Sequence, residues 1–182
     1  FKGKDLVDFH YEPLFDPEKF GVQFTKLSSD YYSRAFGSQD NFDVRVIAGD
    51  FVSLADGTGI VHIAPAFGEV DYEVGQKEGL FFVQPVDLQG KMTGNYPFAD
   101  KFVKVADKDI IGLLKARNLL FRSERIKHTY PFCWRCSSPL LYYAKPSWYI
   151  RTSAKKQDLI DGNQKINWYP EHIKEGRFGD WL

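Results

Sequence analysis

Apolar and polar residues alternate along two separate parts of the chain. Residues 22–27 follow this pattern, and so do residues 42–46. A period of two places every second side chain on one face, which predicts half-buried strands. Residues 51–54 and 80–86 are mostly apolar runs, and the longer run ends at Asp87. We expect these two runs to be strands as well.

The stretch GTGIVHIAPAFGEVDY, residues 57–72, predicts a strand, a tight loop and a helix in succession. The apolar residues around His62 suit a buried strand, and the proline that follows cannot donate to a ladder. Gly68 frees the backbone, and the next acidic residues suit the first turn of a helix running to about Gly79. His62 would then lie at the end of a strand and Asp71 at the start of a helix. Both side chains can face one crevice.

These two residues also have ordinary structural interpretations. An acid in the first turn of a helix commonly interacts with the helix dipole and the free N–H groups, which would explain Asp71. A single histidine at a strand end, such as His62, is more often a hydrogen-bonded core or rim residue than a functional one. Spacing alone favours these structural interpretations.

The predicted strands outnumber the predicted helices, and the helices occur one at a time. Asp107 is the expected N-cap of the second helix. This arrangement favours a mainly β fold, a closed or partly closed β-barrel with peripheral helices, over a doubly wound parallel sheet. The composition changes near Tyr130. We expect a barrel over residues 1–130 and an extended arm over residues 131–182, with a short helix at residues 157–162.

The composition excludes several classes of protein. Of 182 residues, 43% are apolar and 16% are aromatic, so a disordered chain is not expected. Lys and Arg together number 24, as do Asp and Glu, so any contact with RNA must come from a local patch. No apolar run is long enough to span a membrane. The only methionine is Met92, and we interpret the chain as an internal piece of a longer cytoplasmic protein.

Cys133 and Cys136 form the one C-x-x-C pair in the sequence. Zn²⁺ prefers four nitrogen or sulfur ligands, so the pair would be half of a tetrahedral site. His128 is a candidate third ligand, and nothing nearby provides a fourth. The other interpretations are two small buried residues or a redox dithiol, and the absence of a βαβ pattern disfavours the dithiol.

Residues 57–72 resemble a signature of the editing domain inserted into isoleucyl-tRNA synthetases, and the valyl and leucyl enzymes carry related versions. Four other stretches are similar to the same family and occur in the same order. These are YEPLF at residues 11–15, HTYPFCWRCSSPLLYYA at 128–144, KPSWYIR at 145–151 and NWYPEHIKEGRFGDWL at 167–182. The last stretch favours the isoleucyl enzyme over the valyl one.

The resemblance implies a small closed six-stranded barrel with helical insertions and a hydrolytic activity. That activity would remove valine from mischarged valyl-tRNA(Ile). Asp71 matches the acid that binds the α-ammonium of the wrong amino acid, and His62 matches a histidine of the same pocket. The pocket itself would be shaped by Gly57, Thr58, Gly68 and Tyr72.

The resemblance also implies partners and cofactors. The partner would be the 3′ end of tRNA(Ile), bound by a monomer, and the editing reaction would need no cofactor. ATP and Mg²⁺ would serve the catalytic domain of the longer enzyme. Zinc in that enzyme would combine Cys133 and Cys136 with a second cysteine pair that lies upstream of these residues.

The sequence departs from the family in one respect. The threonine-rich peptide that forms the opposite wall of the family's editing site is missing from these residues. We therefore expect half an editing site, weak or inactive on its own. The alternatives are a non-catalytic tRNA-binding or structural module, in which Asp71 only caps a helix, and a valyl-type editing domain.

Overall fold

The computed structural model describes residues 2–28, 41–53, 55, 58–125 and 129–182. The chain divides into two compact units, one that runs to Ala144 and one that comprises Lys145–Leu182. The predicted boundary near Tyr130 rests on composition rather than on contacts, and it stays a prediction.

A short antiparallel sheet joins two distant parts of the first unit. Strand β1, Phe24–Lys26, pairs with strand β2, Phe81–Val83. In the register of this pair, Thr25 lies opposite Phe82. Both strands were predicted from their apolar patterns, and both are shorter than predicted because the ladder extends over three residues on each strand.

Helix α1, Glu69–Glu78, confirms the helix that was predicted to follow the tight loop within residues 57–72. Gly68 is its N-cap and adopts an extended conformation, and two acids lie in the first turn, where the partial positive charge of the helix stabilises them. Gly79 ends the helix in the left-handed region, with φ of 63°, and donates its backbone N–H to Gly75. These local signals place α1 between the loop that precedes Gly68 and strand β2.

Helix α2, Val103–Ala116, begins four residues before the predicted N-cap at Asp107. The start of α2 is fixed by a hydrogen bond to an earlier segment, since Val103 donates its backbone N–H to the Gly90 carbonyl. This contact starts the helix early and leaves Asp107 inside it. Ala106 faces the core and is fully buried.

The core of the first unit is largely aromatic. Phe98 is 2% exposed, and its ring stacks on that of Tyr96 with centroids 5.0 Å apart. Phe20 stacks on the same tyrosine at 4.5 Å. Val22 and Ala106 complete the buried cluster. This cluster holds the segment before β1 and the segment before α2 together.

The prediction of a mainly β chain with a small closed six-stranded barrel is wrong for the described residues. They form an open sheet of two strands, and more of them lie in helices than in strands. Alternating side chains favour an extended backbone, but a ladder also needs a partner strand at hydrogen-bonding distance. Residues 42–46 form a single bridge, between His10 and Arg45. Residues 60–63 form no ladder within the described chain.

The second unit contains a 3₁₀ turn at Thr152–Lys155, helix α3 at Lys156–Lys165 and helix α4 at His172–Glu175. Helix α3 confirms the short helix predicted at residues 157–162. Buried Asn163 joins the parts of this unit, because its side-chain amide donates to the Lys174 carbonyl and accepts from the Trp168 indole N–H. Among the described residues of both units, no helix has the length and apolar character needed to cross a membrane.

Candidate functional site

A tight turn at residues 64–67 separates the extended segment that carries His62 from helix α1. The backbone N–H of Phe67 donates to the Ala64 carbonyl at 2.9 Å and closes the turn. Pro65 and Ala66 are buried in it. The Ala66 carbonyl accepts a hydrogen bond from the backbone N–H of Ala144 at 3.0 Å. The turn is therefore fixed by a contact with a segment nearly eighty residues later.

Asp71 connects helix α1 to this turn. Its Oδ2 atom accepts a hydrogen bond from the backbone N–H of Ala64 at 3.2 Å, and the side chain is half-buried. It does not cap its own helix through a side-chain hydrogen bond. Its Oδ1 atom accepts no hydrogen bond from a residue that the structure describes. One carboxylate oxygen thus positions the side chain, and the other has no hydrogen-bond donor within the described residues.

Gly68 lies against the same carboxylate. A Cβ atom at this position would approach Asp71 Oδ2 to 2.6 Å and Asp71 Cγ to 2.9 Å. The backbone of Gly68 is extended, so its conformation alone does not require glycine. A side chain at this position would therefore displace the Asp71 carboxylate. The structure brings these two predicted site residues together.

His62 lies two residues before the hydrogen-bonded Ala64. Its side chain is exposed and forms no hydrogen bond or ion pair with the part of the chain that the structure describes. The neighbouring Ile60 and Val61 are 69% and 53% exposed. The prediction that this segment is a buried strand is wrong, and the imidazole is presented to solvent rather than to the core.

A cleft of about 430 Å³ lies beside this segment. Thr58 contributes to its wall, and its hydroxyl exchanges 3.3 Å hydrogen bonds with the backbone of Ile60. Residues 51–53 form another part of the wall, with a phenyl ring and a serine hydroxyl among them. Neither His62 nor Asp71 lines this cleft. The structure therefore places Thr58 in a cleft next to His62 but does not unite all the predicted residues in one pocket.

The remaining predicted pocket residues differ in their positions. Gly57 lies outside the described residues. Tyr72 is half-buried, and its ring meets that of Phe82 edge to face at 6.2 Å. This contact places Tyr72 between α1 and β2, which is a packing role. Residues 51–53 were predicted only as a strand, and their place beside Thr58 is visible only in the folded chain.

Cys133 and Cys136 lie in a separate hairpin. Cys133 exchanges backbone hydrogen bonds of 2.8 Å with Ser137 and Ser138 across the turn. Hydrogen bonds from the side chain and backbone of Ser138, and then from the Cys133 thiol, lower the pKa of the Cys136 thiol. The thiolate is the form that binds metals, so the pair fits half of a tetrahedral zinc site. Among the described residues, no third histidine, cysteine or acid joins them, and His128 lies outside those residues.

No family model matches the full chain. It is 61% identical over 180 residues to the isoleucine–tRNA ligase of Dehalococcoides mccartyi strain CBDB1, a match that covers 99% of this chain and 18% of the relative. It is 46% identical over 182 residues to the isoleucine–tRNA ligase of Bacillus thuringiensis strain Al Hakam and 41% identical to that of Picrophilus torridus. Both matches cover 100% of this chain and 16% of the relative.

These relatives are all isoleucine–tRNA ligases. Over the segment that it spans, the chain belongs to the isoleucine–tRNA ligase family. The resemblance drawn from five ordered motifs is confirmed. The chain spans less than a fifth of the length of the curated relatives that it matches, so the activity of the whole enzyme is a matter of proposal for this chain.

Proposed function

We propose that this chain forms one wall of a hydrolytic editing site within an isoleucine–tRNA ligase. The longer enzyme would join isoleucine to tRNA(Ile) with ATP and Mg²⁺, and the editing site would release valine from valyl-tRNA(Ile). The observation that carries the proposal is the Asp71 carboxylate, with one oxygen held by the turn at residues 64–67 and the other without a donor among the residues that the structure describes. The family membership of the chain supports it.

The need for editing follows from the size of the two amino acids. Isoleucine exceeds valine by one methylene, and a binding pocket rejects the smaller analogue by only about 1–3 kcal/mol, a limit well known for this class of enzyme. A second site that accepts valine and hydrolyses its ester raises the overall selectivity. Such a site must bind what the two esters share, the α-ammonium, and exclude the larger side chain.

Asp71 is suited to binding the α-ammonium. The start of α1 stabilises a carboxylate, and the N–H of Ala64 fixes the position of one oxygen. A charge-assisted hydrogen bond from the ammonium to the other oxygen would hold the ester in a fixed orientation. Because reaction with water depends on placing the ester carbonyl, this anchor would act through orientation. Asp71 would be a substrate-binding residue rather than the base that activates water.

His62 would complete this wall from the adjacent segment. Its imidazole is exposed and not engaged by a described residue, so it can accept or donate a hydrogen bond to the ester or to a water molecule. The cleft at Thr58 has the volume of a small-molecule site, and its apolar rim suits a nucleoside. The terminal adenosine of the tRNA is the group that we assign to it.

Zinc is the metal that we assign to the cysteine pair in the longer enzyme. Cys133 and Cys136 would supply two of its four ligands, with the others from outside these residues. The metal would cross-link two segments of chain and take no part in the hydrolysis of the ester.

The test is release of valine from valyl-tRNA(Ile) by the full-length enzyme and its Asp71→Asn variant. Asparagine keeps the acceptor for the Ala64 N–H but removes the charge. The rate of hydrolysis should therefore fall by about 10- to 150-fold, the effect of losing one charge-assisted hydrogen bond. Glu69→Gln is the matched control, because Glu69 is an exposed acid in the same helical turn. Equal hydrolysis by both variants would mean that Asp71 only fixes the turn, and the chain would then be a structural module.

A further inference from the structure

The hairpin at residues 131–140 is held together by contacts at its base. Phe132 and Pro139 form an antiparallel bridge, and the backbone N–H of Leu140 donates to the Pro131 carbonyl at 3.0 Å. The Tyr130 hydroxyl donates to the Leu140 carbonyl at 2.6 Å. These bonds fix the base of the hairpin, so side chains at its tip are presented on a rigid support.

An aromatic ring and a cation are stacked at the tip of this hairpin. Trp134 is 85% exposed, and the Arg135 guanidinium lies over its indole ring, 4.6 Å from the centroid. Phe132 is 58% exposed on the same hairpin. At the base, the Lys104 ammonium from helix α2 lies 5.0 Å from the centre of the Tyr130 ring. Large apolar rings and cations thus share this surface.

The charge along this part of the first unit is uneven. Residues 125–144 contain three Lys and Arg residues and no Asp or Glu, whereas the chain as a whole has equal numbers of both signs. The Lys104 ammonium adds a positive charge at the base of the hairpin. A basic segment of this kind attracts a polyanion.

We propose that the hairpin at residues 131–140 binds single-stranded RNA, with an unpaired base stacked on Trp134 and a phosphate bound by Arg135. A ring already stacked by a guanidinium on one face has its other face for a base. Arginine binds phosphate oxygens with a planar fork while it remains stacked, which lysine does not do. This inference rests on the proposed function only in that the RNA is tRNA(Ile), and it concerns a surface separate from Asp71 and His62.

The experiment measures the affinity of the full-length enzyme for a tRNA(Ile) transcript at several salt concentrations. Trp134→Ala should weaken binding by about 5- to 150-fold at each salt concentration, the effect of losing one stacked base. Arg135→Gln should weaken binding and reduce the slope of log K against log salt by about 1, because one phosphate contact is lost. Phe9→Ala and Lys77→Gln are exposed controls outside the hairpin, and both should bind as the wild type does.

One further variant separates the loss of stacking from a loss of folding. Trp134→Phe keeps a flat ring and should retain most of the affinity. If the wild type binds the transcript and both hairpin variants bind it equally well, the hairpin proposal is wrong. If Trp134→Phe is as weak as Trp134→Ala, stacking is not the cause. A wild type that binds the transcript but releases no valine would contradict the editing proposal alone.

Discussion

The Oδ2 atom of Asp71 lies 3.2 Å from the backbone nitrogen of Ala64, seven residues earlier. This hydrogen bond joins the first turn of helix α1 to the turn that ends the His62 segment. It also explains Gly68, whose missing side chain leaves room for the carboxylate. The position of the acid is therefore determined by two neighbours rather than by the helix alone.

Gly68→Ala should displace the Asp71 carboxylate without unfolding the chain. The new Cβ would lie 2.6 Å from Oδ2, a distance that real contacts do not tolerate, while the extended backbone accepts alanine. We expect valine release by the full-length enzyme to fall, and the free energy of unfolding to change by about 1 kcal/mol or less, the usual difference at an N-cap. Full hydrolytic activity in this variant would contradict the placement of Asp71 in the site.

Two other glycines should respond to alanine in opposite directions. Gly112 lies within α2, and a Cβ there would meet nothing within 4 Å, so Gly112→Ala should stabilise the chain by about 0.5–1 kcal/mol. Gly75 is buried in α1, where a Cβ would lie 2.8 Å from Leu27 and 3.0 Å from Pro65. Gly75→Ala should destabilise by about 1–3 kcal/mol through overpacking. Urea denaturation of the two variants measures both effects, and the same sign for both would refute the packing described around α1.

Tyr96 should make the stability of the chain depend on alkaline pH. Burial raises the pKa of its phenol above the ordinary value of 10.0, and the Asp16 carboxylate raises it further. Because the folded-state pKa is the higher one, the stabilisation is complete below pH 10 and is lost as the pH rises through the folded-state value.

The measurement for this prediction is the difference in free energy of unfolding between wild type and Tyr96→Phe from pH 8 upwards. Other tyrosines and lysines titrate in both proteins and cancel from the difference. We expect the wild type to lose stability relative to the variant above pH 10. A difference that stays constant with pH would show that the phenol ionises as easily in the folded chain as in the unfolded one.

Ser138 should control the reactivity of Cys136. Hydrogen bonds from Ser138 lower the pKa of this exposed thiol, so more of it is thiolate at neutral pH. In the presence of a chelator, Ser138→Ala should slow alkylation of Cys136 by iodoacetamide at pH 7. The rates should converge at a pH where the thiol is fully ionised in both proteins. Equal rates at pH 7 would mean that the serine does not stabilise the thiolate.

Helix α1 illustrates what short-range signals can predict. Gly68, the acids of the first turn and Gly79 are all within the element or next to it, and the helix begins and ends where they indicate. Helix α2 was predicted less well, because its start depends on the hydrogen bond between Val103 and Gly90 rather than on a local cap at Asp107. A contact between segments thirteen residues apart overrode the capping preference.

The sequence by itself determined the family, helix α1 and the candidate residues Asp71 and His62, because motif identity and helix caps are local. Only the tertiary structure decided which strands pair, since β1 and β2 are more than fifty residues apart and their register depends on the core between them. It also decided that residues 60–62 stay exposed and that Asp71 bonds to Ala64. Hydrogen bonds and burial between distant residues depend on the packed chain, and no periodicity of side chains encodes them.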